Sequence, residues 1–185
     1  MRHPRVLETL LQEVSNLVLQ SRKPPETESL DTTIFRPISL PYVTAVFYET
    51  LRLYPPVPFE LKQCQKATTL PDGTYLPNTS IIIWCTWAMN RSKMIWGEDS
   101  LVFKPERWLE NGVLVSKTAY EYPVFNGGPR TCLGKKMAEM VAVQVIASFV
   151  FEFRFDPIDD EERISKNSLT LPMEGGLPCH VMSRI

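Results

Sequence analysis

Residues 125–136, FNGGPRTCLGKK, place a thiol, a cation and three glycines within one short stretch, directly ahead of an apolar helical pattern. Cys132 therefore sits where a helix is about to begin. Unpaired backbone N–H groups and the helix macrodipole favour negative charge at such an end, so a thiolate would be stabilised there. Gly128 and Gly134 leave room for something flat to come close, Pro129 stiffens the turn, and Arg130 could neutralise an anion beside the sulfur. A thiolate, a rigid loop and a nearby cation describe a metal-ligand site. A free cysteine is also commonly a small buried hydrophobe, and that reading suits Cys64, Cys85 and Cys179 better than Cys132. A phosphate loop of the form GxxxxGK[ST] fails on its details. Its first glycine would fall on Pro129, and Lys136 stands where the magnesium-binding hydroxyl belongs.

A second constellation is Glu49 and Arg52, spaced i, i+3 in SLPYVTAVFYETLRLYPP. Tyr42, Ala45, Glu49 and Arg52 share one helical face, while Val43, Val46, Phe47 and Leu51 define another. Taken alone, such a charged pair is most often solvated and worth a few tenths of a kcal/mol. Other chemistries are poorly supplied. The two histidines, His3 and His180, leave little for a histidine-rich metal site or a Ser-His-Asp triad. The four cysteines form no CxxC pair, which argues against a zinc ribbon or a covalent c-type haem attachment. A chain of this length does not need disulfide staples, so reduced thiols are expected.

The elements that must hold these residues follow from periodicity and punctuation. Val6, Leu7, Leu10, Leu11, Val14 and Leu17 predict an amphipathic helix over residues 4 to 20, and the Pro-rich polar run from Ser21 to Pro37 predicts a loop. The next helix has Ser39 as a candidate cap and Pro41 in its first turn, and is stopped by Pro55 and Pro56. TTLPDGTYLP predicts a Pro-Asp-Gly turn between short strands, and TSIIIWCTWA a buried strand. The stretch from Ser92 to Gly112 lacks a clean period and predicts irregular structure with short helical turns. After the glycine loop, KKMAEMVAVQVIASFVFEFRF is apolar nearly all round beyond Glu139, which predicts a fully buried helix passing into a strand at Phe151–Phe155. A hairpin around Glu174-Gly175-Gly176 closes the chain. The fold class is mainly α with small β hairpins (α+β).

The whole composition sets bounds on function. The 185 residues suffice for one domain burying roughly 70% of its unfolded surface. A hydrophobic share of 44%, a charged share of 22% and a net charge of −1, with no long basic run, do not suggest nucleic acid as a partner. The N-terminal residues form a charged amphipathic pattern rather than a signal peptide. No apolar run approaches the ~20 residues of a spanning helix.

Phe125-x-x-Gly128-x-Arg130-x-Cys132-x-Gly134 resembles the haem-binding loop of the cytochrome P450 superfamily, the haem-thiolate monooxygenases. At average residue usage this pattern would arise by chance in well under roughly one in a thousand chains. ETLR and FKPERW resemble two further signatures of that family, in the expected order. The resemblance implies a buried structural network of Glu49, Arg52 and Arg107. It further implies haem b (heme b, iron protoporphyrin IX) with Cys132 as metal ligand and catalytic centre. Gly128 and Gly134 belong to the cofactor loop, Phe125 packs on the proximal side, and Arg130 and Lys62 reach the propionates. Val57, in LYPPVP, and Leu169, in the terminal segment, are implied substrate contacts, although plain core positions suit both equally well. The reaction implied is insertion of one oxygen atom of dioxygen into a C–H bond, with NADPH electrons delivered by a partner reductase.

LPDGTYLPNTS, the run from Ala88 to Gly112, FNGGPRTCLGKKMA and SLTLPMEGGL look most like the eukaryotic fatty-acid ω-hydroxylase branch. That likeness implies a fatty acid or other long-chain aliphatic substrate, and attachment at the cytosolic face of the endoplasmic reticulum membrane. Residues 1–185 resemble the C-terminal part of a single family domain that is well over twice as long, incomplete on its N-terminal side. Its membrane anchor and the distal helix that relays protons to dioxygen have no counterpart here, so this chain alone is expected to be inactive. A non-catalytic fragment, or a haem-binding sensor module with the same thiolate loop, is the alternative.

Overall fold

The computed structural model describes residues 3–21, 31–166 and 168–184. The loop predicted after the first helix falls partly outside them, at residues 22–30. The first helix, α1 (Pro4–Ser21), forms where the apolar spacing places it and buries Leu10, Val14 and Val18. α2 (Pro41–Leu53) starts on its predicted proline. Its cap is not Ser39. Leu40 occupies the cap position and makes no side-chain capping bond. Instead Glu13 of α1 reaches across, its Oε1 accepting from Tyr42 N and its Oε2 from Val43 N, both at 2.9 Å. A carboxylate at a helix N-terminus satisfies orphan donors and complements the dipole, whichever helix supplies it. Burial pushes the Glu13 carboxyl up, against the two backbone hydrogen bonds.

Four two-stranded antiparallel ladders occur among the described residues. β1 (Phe59–Gln63) pairs with the later β4 (Ile81–Cys85), and between them β2 (Thr68–Thr69) pairs with β3 (Tyr75–Leu76). The predicted Pro-Asp-Gly turn joins β2 to β3, with Gly73 at φ +89°. The strand predicted to be buried is β4, and it is only half so. Ile81 and Ile83 are 61% and 64% exposed. A ladder of two strands offers one face to the body of the protein and leaves the other uncovered, so alternation replaces burial.

The strand predicted to run through TSIIIWCTWA stops at Cys85, and its last residues open a short helix, α3 (Thr86–Met89). A second short helix, α4 (Lys93–Trp96), and a 3-10 turn at Pro105–Trp108 occupy the stretch predicted to be irregular. That stretch ends in a hairpin the periodicity did not show, β5 (Leu109–Glu110) with β6 (Val113–Leu114). Asn111 and Gly112 form its two-residue turn at positive φ, the Asn-Gly signal of a tight hairpin.

α5 (Lys135–Glu152) follows the glycine loop and passes into β7 (Phe153–Pro157), two residues later than predicted. It is not fully buried. Val143 and Ala147 are, while Met137 is 72% exposed and Val141, Val145 and Phe149 about half. α1 and α2 cover one side of α5, and its all-round apolar sequence outruns the surface those two helices supply. The terminal hairpin also differs. A turn stands at Glu174–Gly175, but the last strand, β8 (Cys179–Ser183), pairs with β7, and the turn itself is flanked by the isolated bridge Ser165–Met173. Pairing β8 beside β7 covers a longer strand edge than a hairpin across the two glycines would.

The result is a mixed architecture of helices and small sheets. Its main core joins Val14, Phe35, Leu40 and Val43 to Val143 and Ala147 of α5. A second, aromatic core of Trp96, Trp108 and Tyr122 packs on Ala45. α2 touches both cores, and its remaining face turns toward the glycine loop.

Candidate functional site

The glycine loop is shaped by its backbone. A 3-10 turn at Pro123–Phe125 ends at Asn126, which has φ +62°. A Cβ on Gly127 would lie 2.8 Å from Ala119 Cβ, so only glycine permits that close approach. Gly128, at φ +63°, opens a second turn, and both the backbone N–H and the hydroxyl of Thr131 donate to its carbonyl. Cys132 N donates to Phe125 O at 2.8 Å and closes the loop. Cys132 thus stands three residues ahead of Lys135, the first residue of α5, rather than within its first turn. Lys135 N donates to Cys132 O at 3.3 Å across this junction, and Gly134 caps the helix with its own would-be Cβ 3.9 Å from the sulfur.

Cys132 is exposed and opens onto a cleft of about 370 Å³. Phe47 and Leu51 of α2, Val57, Phe125 and Arg130 line it as well, with Glu60 of β1 its one acidic side chain. Four of the sequence-predicted residues, Cys132, Arg130, Phe125 and Val57, therefore meet in one concave, mostly apolar surface. Lys62 and Leu169 are not among the lining residues. Lys62 lies over the Trp84 ring at 5.9 Å. Leu169 is 86% exposed, although Leu171 N donates to Pro56 O at 3.0 Å and holds the terminal segment against the turn that carries Val57.

The chemistry of the donors narrows what this cleft could hold. Among the described residues no three His, Cys, Asp or Glu side chains gather closely enough for a bare metal ion. Cys132 can offer one soft ligand only, so the site suits a metal that brings its own chelate. The apolar lining, the single thiol and the Arg130 cation fit a flat macrocycle with acidic substituents. Haem is such a group.

Behind the cleft, α2 carries the predicted network, and it is buried rather than solvated. Glu49 and Arg52 are both fully buried. Arg52 donates through Nε and Nη2 to the two oxygens of Glu49, each at 2.8 Å. Its Nη1 donates to the carbonyls of Asn90 and Ser100. Arg107 Nε joins at 3.0 Å from Glu49 Oε1 and also pairs with Asp99. Two donors were not anticipated: Trp108 Nε1 at 3.0 Å and Lys104 N at 2.8 Å. Both lie in FKPERW, the segment that supplied Arg107, and a buried indole N–H needs an acceptor. Burial pushes the Glu49 carboxyl up, but the hydrogen bonds and charge of Arg52, with Lys104 N and Trp108, outweigh it and hold it below the usual carboxylate range.

One thiol thus faces an apolar cleft on a glycine-shaped loop, with a buried carboxylate–guanidinium network behind it. The chain belongs to the cytochrome P450 family, which matches it over residues 1–179. It is 35% identical to cytochrome P450 86B1 of Arabidopsis thaliana, across 99% of this chain and 34% of that protein. It is 42% identical to cytochrome P450 CYP94D109 of Paris polyphylla, across 77% of this chain and 29% of the relative. Noroxomaritidine synthase 1 of Narcissus pseudonarcissus is 35% identical, across 98% and 36%. The chain thus spans about a third of the length of these curated relatives.

Proposed function

We propose that this chain supplies the proximal wall of a haem-thiolate monooxygenase that acts on a lipophilic substrate, a fatty acid or other long-chain aliphatic. The observation that carries the reading is the convergence of Cys132, Arg130, Phe125 and Val57 on one apolar cleft. Cys132 would bind the iron, Phe125 would pack beside the thiolate, and Arg130 would take a propionate. Lys62 has a flexible four-carbon stem with which to leave Trp84 for the second propionate. Val57 and Leu169 would bound the substrate. When bound, the haem would use dioxygen and two NADPH-derived electrons, passed on by a reductase, to place one oxygen atom in a C–H bond and release the other as water. The protein's part is to hold the sulfur, exclude water through the apolar lining, and orient the chain end of the substrate.

The aliphatic substrate rests on the segment likenesses to the ω-hydroxylase branch, and membrane attachment at the endoplasmic reticulum belongs to the same proposal. Among the described residues no helix is long and apolar enough to cross a membrane. The test supplies the intact enzyme, distal wall included, with haem, a reductase and NADPH under isotopically labelled dioxygen. A hydroxylated fatty acid carrying one labelled oxygen supports the reading. Turnover of an aromatic or steroid with no fatty acid product would sink the substrate assignment. Haem bound through Cys132 with no product at all would point to the haem-binding module instead.

A further inference from the structure

Tyr48 lies beside Glu49 on α2 but points the other way, toward α5. Its hydroxyl donates to Glu139 Oε1 at 2.6 Å, a short bond of the charge-assisted kind, and it joins residues 91 positions apart. The same carboxylate oxygen lies 3.8 Å from Lys135 Nζ, one helical turn back on α5. Lys135 in turn stands over the Phe125 ring at 5.5 Å, and its backbone N–H donates to Cys132 O. Phe125 accepts the Cys132 N–H and lines the cleft. On the α2 side, Tyr48 is held by the Trp108 ring at 5.2 Å, and its carbonyl accepts from the Tyr122 hydroxyl. The buried network and the thiol loop are thus joined through a few side chains.

We propose that Tyr48, acting through Glu139, is a positioning residue that fixes the first turn of α5 and with it the placement of Cys132. The N-terminal turn of a helix lacks half of its backbone bonds and frays most readily. Here the α5 cap is Gly134, with no side-chain capping bond, so the helix start has little local support. Glu139 lies one turn in and ties that start to the rigid side of the molecule. Burial, then the bond to Glu139, pushes the Tyr48 phenol well up, so the donor is kept beyond the alkaline pH at which an ordinary phenol ionises. The inference rests on the haem-thiolate reading for its consequence at iron, but the tether is a property of the chain itself.

The test is therefore made on the full chain without haem, by amide hydrogen exchange. Tyr48→Phe keeps the ring and its packing and removes only the donor. Exchange at the amides of Cys132, Lys135 and Ala138 should rise by roughly ten- to a hundredfold, as expected for loss of a hydrogen bond to a charged group. Amides of α1 and of the β5–β6 hairpin should be unchanged. Glu139→Gln, which keeps an acceptor for the hydroxyl but loses the charge, should fall between wild type and Tyr48→Phe. Tyr48→Phe combined with Glu139→Gln should exceed Tyr48→Phe alone by little, since the two groups act as one unit. Unchanged exchange in Tyr48→Phe, or a rise spread evenly over the molecule, would overturn the proposal. With haem supplied, Tyr48→Phe should also lower the share of iron that shows thiolate ligation in its ferrous–carbonyl spectrum. A wild-type chain showing no such ligation would count against the haem reading, while the exchange result would still decide the tether.

Discussion

Removing the Glu49 carboxylate should destabilise the chain far more than removing one of its surface charges. Glu49 accepts five hydrogen bonds, two from Arg52 and one each from Arg107, Lys104 N and Trp108. Glu49→Ala would leave Arg52 fully buried with its charge uncompensated, a loss of about 3–5 kcal/mol. Domains have only about 5–15 kcal/mol in total, so much of the fold's stability is at stake. With a urea m-value of about 1–3 kcal/mol/M, the unfolding midpoint should drop by about 2 M, measured by far-ultraviolet circular dichroism. Glu49→Leu with Arg52→Met should lie above Glu49→Leu alone by about 1 kcal/mol or more, because no buried charge is then left unpaired. The carboxyl sits below its ordinary value of 4.5 in the folded state, so its stabilisation is present above pH 4.5 and is lost as pH falls through the lower folded value. Glu49→Gln should flatten that acid limb. A cost below about 1 kcal/mol for Glu49→Ala, the size of an exposed pair, would refute the reasoning. Haem incorporation should fail in Glu49→Ala and Arg52→Ala, and normal haem content in either would speak against a locking role.

Three further outcomes are expected. Gly128→Ala should cost about 1–2 kcal/mol through its positive φ, and Gly127→Ala should displace the loop from Ala119; chemical denaturation that leaves both variants at the wild-type midpoint would contradict the loop geometry. Burial, then the hydrogen bond to Glu106, pushes the Tyr42 phenol from 10.0 up to about 12, so its contribution is full below pH 10 and is lost as pH rises toward 12. Tyr42→Phe should remove that part of the alkaline unfolding limb, and a limb unchanged in shape would reject it. The exposed side of α5, with Met137, Val141, Val145 and Phe149, should make the isolated chain poorly soluble; a monodisperse monomer by sedimentation would be the opposing result.

Local signals in the sequence were strong where one residue type met one backbone requirement. Pro41 marked the start of α2, the Pro-Asp-Gly turn formed as spaced, and the loop around Cys132 gathered with Arg130 and Phe125. The network members Glu49, Arg52 and Arg107 met as the resemblance implied. What periodicity could not carry was the supply of covering surface. β4 and α5 are apolar enough to be buried, yet burial depends on which layers lie alongside, and among the described residues one face of each has none. Long-range pairings were equally silent. Nothing near Ser39 indicates that Glu13, far away on α1, caps α2, and nothing near Cys179 indicates that β8 seeks β7 rather than the residues just before the Gly-Gly turn. Asn111-Gly112 was readable, but lay inside a stretch judged by period alone.

The most direct test of the central claim is iron K-edge X-ray absorption on the haem-loaded chain, compared with Cys132→Ala. A sulfur atom in the first coordination shell of the wild type, replaced by nitrogen or oxygen in the variant, is the expected result. A first shell without sulfur in the wild type, or one that keeps its sulfur in Cys132→Ala, would contradict the assignment of Cys132 as the iron ligand.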